Sequence, residues 1–188
     1  MNNGLLVVIS SPSGGGKTTI IRKIVERDPQ RCVYSISATT RAPRSGEQNG
    51  KDYYFLDDEA FQAKIEQGEF LEWERVHGYY YGTDLSSIQV WLQQGKVVLL
   101  DLDVKGALQV ANILKDQTVT IFIAPPSLDT LIKRLKNRKT DSNEEIEKRL
   151  ERIPMEMEKS KKFDAVIVNE NLDKTVDQVL KIIENHIH

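Results

Sequence analysis

Apolar positions along this chain fall into two kinds of pattern. Four short runs are apolar with almost no interruption: Leu5 to Ile9, Val97 to Leu100, Val119 to Ile123 and Ala165 to Val168. Continuous rather than alternating runs are what parallel strands show when helices cover both faces. Between these runs the apolar residues recur at helical spacing. Ile20, Ile21, Ile24 and Val25 predict a first helix that Asp28-Pro29 stops, and Leu172, Val176, Val179 and Ile183 predict a last one. Ser142-Asn143-Glu144-Glu145 has the form of a capping box, with Ser142 capping the Glu145 amide and Glu145 reaching back to open a charged helix. Strand and helix thus alternate, which predicts an α/β fold on a parallel sheet flanked by helices. Right-handed crossovers then bring the strand ends to one edge, where ligands bind.

At 188 residues the chain is one domain, large enough to bury about 70% of the surface its unfolded form exposes. It has no internal repeat, low-complexity tract or Pro/Gly/Ser linker, so the organisation expected is a core with insertions. The single cysteine, Cys32, has no second thiol for a disulfide, zinc site or redox pair, and reads as a small buried apolar residue. The start Met1-Asn2-Asn3-Gly4 lacks a basic region, and no stretch approaches the roughly 20 apolar residues of a membrane span. A cytoplasmic location with no membrane partner is the expectation.

Net charge is −2, which gives no global basic field to attract a nucleic acid polymer. Charge is nevertheless uneven, since 11 of the 26 Lys and Arg residues fall between Lys133 and Lys162. By itself such a run is read as a solvated helix face as readily as a binding surface. Tyrosine is uneven too: all six lie between positions 34 and 81. That segment is expected to be an insertion with its own surface, either a pocket that stacks on a flat base and hydrogen-bonds its phosphate, or a small mixed sheet whose tyrosines pack.

The strongest single motif is Ser11-Pro12-Ser13-Gly14-Gly15-Gly16-Lys17-Thr18, set between the first predicted strand and the first predicted helix. Phosphates need several donors converging at short range; glycines permit the turn that aims backbone amides inward, and a helix N-terminus adds its dipole. Lys17 is placed to reach the β- and γ-phosphates and Thr18 to offer a hydroxyl to Mg²⁺. Ser11 stands where the pattern has its first glycine. A dinucleotide fingerprint fails, because Gly14 and Gly16 are followed by Thr19 and not by a third small residue. Such a loop also needs a carboxylate near the metal. Asp101, closing the run Val97-Val98-Leu99-Leu100, is the candidate for holding a water of the Mg²⁺ shell.

These residues, together with Ser37-Ala38-Thr39-Thr40-Arg41-Ala42-Pro43-Arg44, Gly46 to Tyr53, Phe70-Leu71-Glu72-Trp73, Tyr80-Tyr81-Gly82-Thr83, Asp101 to Gly106 and Ile123 to Ser127, resemble the guanylate kinase family over nearly the whole chain. The resemblance implies Mg²⁺-dependent transfer of the γ-phosphoryl group of ATP to GMP, with dGMP an admissible acceptor and a monomer or homodimer as the assembly. It implies three parts: a core (about 1–36, 85–125 and 158–188), a GMP-binding segment (about 37–84) and a lid (about 126–157). ATP is expected along Ser11, Pro12, Ser13, Gly14, Gly15, Gly16, Lys17, Thr18 and Thr19, with Thr18 and Asp101 serving the metal. Arg41, Arg44, Tyr53 and Tyr81 are expected around the GMP phosphate, and Ser37, Glu72, Thr83 and Asp103 near the guanine. Arg138 and Arg149, with Arg134 on the same segment, are expected to turn onto the ATP phosphates, so part of the basic run acquires a purpose. Lys17, Arg41, Arg44, Arg138, Arg149 and Asp101 form the implied catalytic set.

Two positions depart from the family pattern: Lys139 stands where glycine is common, and Pro154 falls inside the second lid helix. No general base is required, because a phosphate monoester with second pKa about 6 is mostly a dianion near pH 7. His77, His186 and His188 accordingly read as structural or solvent-exposed. Two other functions fit the same fold: a guanylate-kinase-like binding module without catalysis, and a small-molecule kinase with a ribose phosphate acceptor. The first has no use for Lys17, Thr18 and Asp101, and the second none for the Glu72 and Thr83 pair.

Overall fold

The computed structural model of the chain describes residues 4–12, 14–76, 78–136 and 143–187. Its elements run β1 (Leu5–Ser10), α1 (Lys17–Arg27), β2 (Cys32–Ser35), β3 (Ala38–Thr39), β4 (Tyr54–Phe55), α2 (Asp58–Glu66), β5 (Phe70–Val76), β6 (Tyr79–Asp84), α3 (Leu85–Gln93), β7 (Val97–Asp101), α4 (Val104–Ile113), β8 (Thr118–Ala124), α5 (Leu128–Lys136), α6 (Asn143–Ser160), β9 (Ala165–Val168) and α7 (Leu172–His186). Five strands form a parallel sheet in the order β2-β7-β1-β8-β9. All four predicted strands belong to it.

The continuous apolar runs have a direct cause. Successive side chains of a strand point to opposite faces, and here both faces of the central strands are covered. Leu5, Val7 and Ile9 of β1 join Leu99 and Ile121 in a core with Ile20, Ile21 and Ile24 of α1 and Val176, Val179 and Ile183 of α7. Leu6 and Val8 join Leu100 and Phe122 in a second core with Ile88 of α3 and Val104, Ala107 and Val110 of α4. The predicted stripes of the first and last helices are therefore the faces that close the first core.

Two features differ from the sequence expectation. Strand β2, Cys-Val-Tyr-Ser, is too short and mixed to be read as a buried run, yet it pairs with β7 from Cys32↔Val97 to Ser35↔Leu100. Cys32 is buried as expected, and burial pushes its thiol up to about 11. Strand β9 is not covered on both faces: it is an edge strand, and Val166 and Val168 are each 50% exposed.

Residues 38–84 contain a separate sheet, β4-β3-β6-β5, in which β5 and β6 form an antiparallel hairpin and β3 pairs with β6. Helix α2 packs on it through Phe61, whose ring stacks on Phe70 and Tyr80. The tyrosines divide between the two uses expected of them. Tyr80 packs between Phe61 and Trp73, Tyr54 and Tyr79 face outward, and Tyr53 and Tyr81 turn into a cleft. Helices α5 and α6 make a small core of their own from Leu131, Ile146 and Ile153. Helix α6 runs through Pro154 to Ser160, so the proline is carried inside a continuous helix. The capping box falls partly on Ser142, and Lys139 falls in the same gap; both lie outside the described residues.

Candidate active site

The carboxyl ends of β1, β7, β8 and β9 meet along one edge, and the loop after β1 lies there. Gly16 has φ 92° and opens α1, which has no side-chain cap and no acidic residue in its first turn. The first amides of α1 and its dipole are thus presented to the cleft without a competing carboxylate on the helix. Ser11 is accommodated by a glycine further along. Its hydroxyl donates to the Pro12 carbonyl at 2.9 Å, and a Cβ at position 15 would lie 2.4 Å from that hydroxyl oxygen. Behind the loop Asn169, buried at the end of β9, donates to the Gly15 carbonyl at 3.3 Å and accepts from Thr175 Oγ1 at 3.0 Å.

Lys17 Nζ donates to the Ser11 carbonyl at 3.3 Å and lies 3.6 Å from Asp101 Oδ1. Thr18 Oγ1 donates to Asp101 Oδ2 at 2.7 Å. Asp101, 83 positions beyond Thr18, is thereby brought to the same point as the adjacent Lys17 and Thr18. Among the described residues no group of three or more His, Cys, Asp or Glu could cage a metal. A hydroxyl beside a single carboxylate at a phosphate loop is a hard-oxygen set. It fits a Mg²⁺ ion that takes its remaining ligands from phosphate and water.

Facing the loop is a polar cleft of about 230 Å³, lined by Gly14 to Thr19, Ser11, Arg41, Arg44, Tyr53, Val76, Tyr81, Asp101, Asp103, Arg149, Arg152 and Glu156. Arg41 is fixed from several sides. Its Nη2 donates to both Glu47 oxygens at 3.0 Å, its Nη1 donates to the Ala42 carbonyl at 2.7 Å, and its guanidinium sits 5.4 Å from the Tyr53 ring centre. Glu47 also accepts from the Arg44 amide at 2.7 Å, which ties both arginines to one carboxylate. Tyr53 meets Tyr81 edge to face at 6.1 Å, and burial holds the Tyr53 hydroxyl well above its ordinary range.

A second cavity, of about 160 Å³, shares Lys17, Tyr53, Tyr81, Asp101 and Asp103 with the first and extends to Ser37, Glu72, Glu74 and Leu102. Its lining includes Glu72 on β5, 5% exposed, whose Oε1 accepts from Thr83 Oγ1 at 2.6 Å across the β5–β6 pair. Burial pushes the Glu72 carboxyl up to about 7; the Thr83 hydrogen bond opposes the shift, and the negative charges of Asp103 and Glu74 add to it. Thr83 is fully buried behind Glu72 and does not line the cavity. Asp103 caps α4, its Oδ1 accepting from the Lys105 and Gly106 amides at 3.0 and 2.9 Å.

The structure thus brings together Ser11, Gly14 to Thr19, Arg41, Arg44, Tyr53, Tyr81, Asp101, Asp103 and Arg149 in one cleft, with Ser37 and Glu72 in the adjoining cavity. Pro12 contributes its carbonyl to the loop. Ser13, Arg138 and the side chain of Arg134 lie outside the described residues, as do His77 and His188. His186 sits on the surface against the Ile182 carbonyl, far along α7 from the cleft. Sequence reasoning missed Asn169, Arg152 and Glu156. Arg152 had a signal, lying one helical turn after Arg149; Asn169, after β9 in a polar stretch, had none.

A glycine loop feeding a helix N-terminus, a lysine, threonine and aspartate behind it, and arginines facing it across a polar cleft define an α/β phosphotransferase of the P-loop class. The chain belongs to the guanylate kinase family, whose family model matches residues 3–186. It is 47% identical over 185 residues to the guanylate kinase of Chlorobium chlorochromatii, covering 98% of this chain and 97% of that one. It is 43% identical over 182 residues to the guanylate kinase of Thermotoga maritima, covering 97% and 87%. The crystal structure of guanylate kinase from Anaplasma phagocytophilum superposes with a TM-score of 0.81 at 33% identity, over 100% of this chain and 88% of that one. Among the described residues no helix is long and apolar enough to cross a membrane.

Proposed function

We propose that this chain transfers the γ-phosphoryl group of ATP to GMP, giving ADP and GDP, with the two substrates meeting in the shared cleft. The observation that carries the reading is that the phosphate cleft shares its lining with a cavity that holds a buried, hydrogen-bonded Glu72. Guanine presents two adjacent donors, its N1–H and 2-amino group, to a carboxylate. Adenine presents a lone pair at N1 and faces Glu72 with repulsion.

In this reading Ser11 to Thr19 cradle the ATP phosphates, and Lys17 and Arg149 hold charge that develops on the transferring group. Arg41 and Arg44, with the hydroxyls of Tyr53 and Tyr81, hold the acceptor phosphate. Arginine suits that task because its planar fork donates two parallel hydrogen bonds to phosphate oxygens. Arg134 and Arg138 belong to the same proposed lid set, and Ser37, Glu72 and Asp103 orient the base. Thr18 and, through water, Asp101 would hold Mg²⁺, which when bound neutralises charge between the β- and γ-phosphates. The residues perform no proton abstraction, since the acceptor is already a dianion. Their work is to place two anions in line and exclude water that would otherwise take the phosphoryl group. We place the core, the GMP-binding segment and the lid at the boundaries given above.

The test is product analysis by ³¹P NMR of ATP, GMP and Mg²⁺ incubated with the protein, with and without excess chelator. Equal amounts of ADP and GDP, formed in the presence of Mg²⁺ and abolished by the chelator, are expected. Unchanged turnover in chelator, or ADP with no GDP, contradicts the reading.

A further inference from the structure

One arginine in the cleft is explained neither by the phosphate loop nor by the motifs that carry the family resemblance. Arg152 follows Arg149 by one turn of α6 and lines the phosphate cleft with it. Its guanidinium is held from two sides. Nη2 donates to Asp103 Oδ2 at 3.1 Å, and Nε lies 3.9 Å from Glu156 Oε1 one turn further along. Asp103 cannot turn to follow it, because its other oxygen caps α4 through two backbone amides. Glu156 is buried against the same cleft, and its Oε2 has no hydrogen-bond partner among the described residues. Arg152 therefore runs from a residue that also lines the base cavity to the wall of the phosphate cleft.

Asp103 has limited capacity to accept. With Oδ1 occupied by two amides, a base donor arriving from the cavity meets Oδ2, the oxygen that already holds Arg152, and by sharing it weakens that single 3.1 Å bond. An arginine displaced from Asp103 keeps its charge and stays on α6, and phosphate oxygens are the strongest acceptors such a cleft receives. We propose that Arg152 is a positioning residue that couples the two substrates: the acceptor base, by taking Asp103, releases Arg152 toward the donor phosphates, and the donor draws it off Asp103. This rests on the reading of the cleft as a phosphoryl-transfer site. The competing account is that the pair merely docks α6 on α4; with both side chains about a quarter exposed, it would then contribute little to stability.

Coupling separates the two accounts. A non-hydrolysable ATP analogue is titrated calorimetrically into the wild-type protein and into Arg152→Ala, Arg152→Gln and Arg152→Lys, each with and without saturating GMP, alongside steady-state kinetics. In the wild type, GMP should tighten the analogue by about fivefold or more, and the analogue should tighten GMP by the same factor, as linkage requires. In Arg152→Ala and Arg152→Gln that factor should fall to within about twofold of unity, with kcat reduced about tenfold and GMP alone bound at least as well as before. Arg152→Lys, which keeps the charge and loses the fork, should recover part of the coupling. Gln keeps much of the aliphatic stem that Ala removes, so the test stands even where the Ala variant fails to fold. Unchanged coupling in a folded variant, or no coupling in the wild type, overturns the proposal. Wild-type turnover of ATP and GMP with variants that match it removes only the Arg152 assignment. A wild type that does not phosphorylate GMP sinks the reading of the site, while the calorimetric coupling still decides the case of Arg152.

Discussion

In the function proposed above, the phosphate loop and the base cavity recognise their ligands with different parts of the chain. The loop uses one continuous stretch, Ser11 to Thr18, and much of what it offers is backbone: glycines at φ 89° and 92° and the uncapped amides of α1. The base cavity uses side chains alone, from Ser37 before β3, Glu72 on β5, Asp103 at the head of α4 and, one layer behind, Thr83 on β6. A phosphate looks alike from many directions and is met by converging amides, whereas a base is told apart by donors and acceptors at its edge. Recognition by backbone stays local in sequence; recognition by side chains is assembled by the fold.

The largest effect should come from the donor side. Lys17→Met should lower kcat by about 10³-fold while GMP still binds, since an oriented charge at the transferring group is lost in a site where electrostatics does most of the work. A coupled ADP-release assay on the variant, checked for folding by circular dichroism, measures this; near-normal turnover would show that the loop does not carry the transfer.

Next is the base side. Glu72→Gln turns one of two acceptors into a donor and should weaken GMP by about 10²-fold or more, with binding of the ATP analogue unchanged. Calorimetry with both nucleotides checks it. Equal losses for both would erase the division between loop and cavity.

A smaller effect is expected from Gly15→Ala, which places a methyl group against Ser11 Oγ. Loss of about 1–3 kcal/mol in stability, with a raised KM for ATP and an unaltered GMP affinity, is the expected pattern. Ser11→Gly in the same chain should restore most of it, because it removes the side chain the methyl group meets. Thermal unfolding of the single and double variants measures both.

Glu72 also makes the two halves differ in pH response. In the proposed function GMP needs the carboxylate ionised, so its affinity should fall by up to about tenfold per pH unit below about 7. Glu72→Gln should flatten that slope to what the GMP phosphate itself contributes. Stability moves the opposite way. The folded carboxyl keeps its proton between its ordinary value of 4.5 and about 7, so its contribution is complete below 4.5 and lost as pH rises through 7. Relative to wild type, Glu72→Gln should therefore be more stable at pH 8 than at pH 5. Glu156, which burial also pushes up to about 7, is present in both proteins and cancels in the comparison.

Asn169→Ala should have the smallest effect, about a twofold to fivefold rise in KM for ATP, because one hydrogen bond behind the loop is lost and its direct contacts remain. Steady-state kinetics at varied ATP decides it.

The same division explains what could be read from the sequence. The four core strands and the stripes of α1 and α7 were legible because burial on two faces, or on one stripe, fixes residue type position by position. The loop was legible because it is contiguous, and Asp101 because it ends a buried run. Arg41, Arg44, Glu72 and Asp103 were not legible from spacing and entered through family resemblance. Their common site depends on a hairpin register, Glu72↔Thr83, and on a cap at Asp103 that periodicity cannot reveal. β2 escaped because four residues, closing on Ser35, are too few to set a pattern, and Asn169 because nothing marks a residue that supports another loop from behind.

The most direct test of the account is the ratio of kcat/KM for GMP to that for AMP, measured on the wild-type protein with saturating ATP and Mg²⁺. A cavity lined by Glu72 predicts a preference for GMP of about 10⁴ or more, and a ratio near one would mean that the site grips phosphates without reading the base.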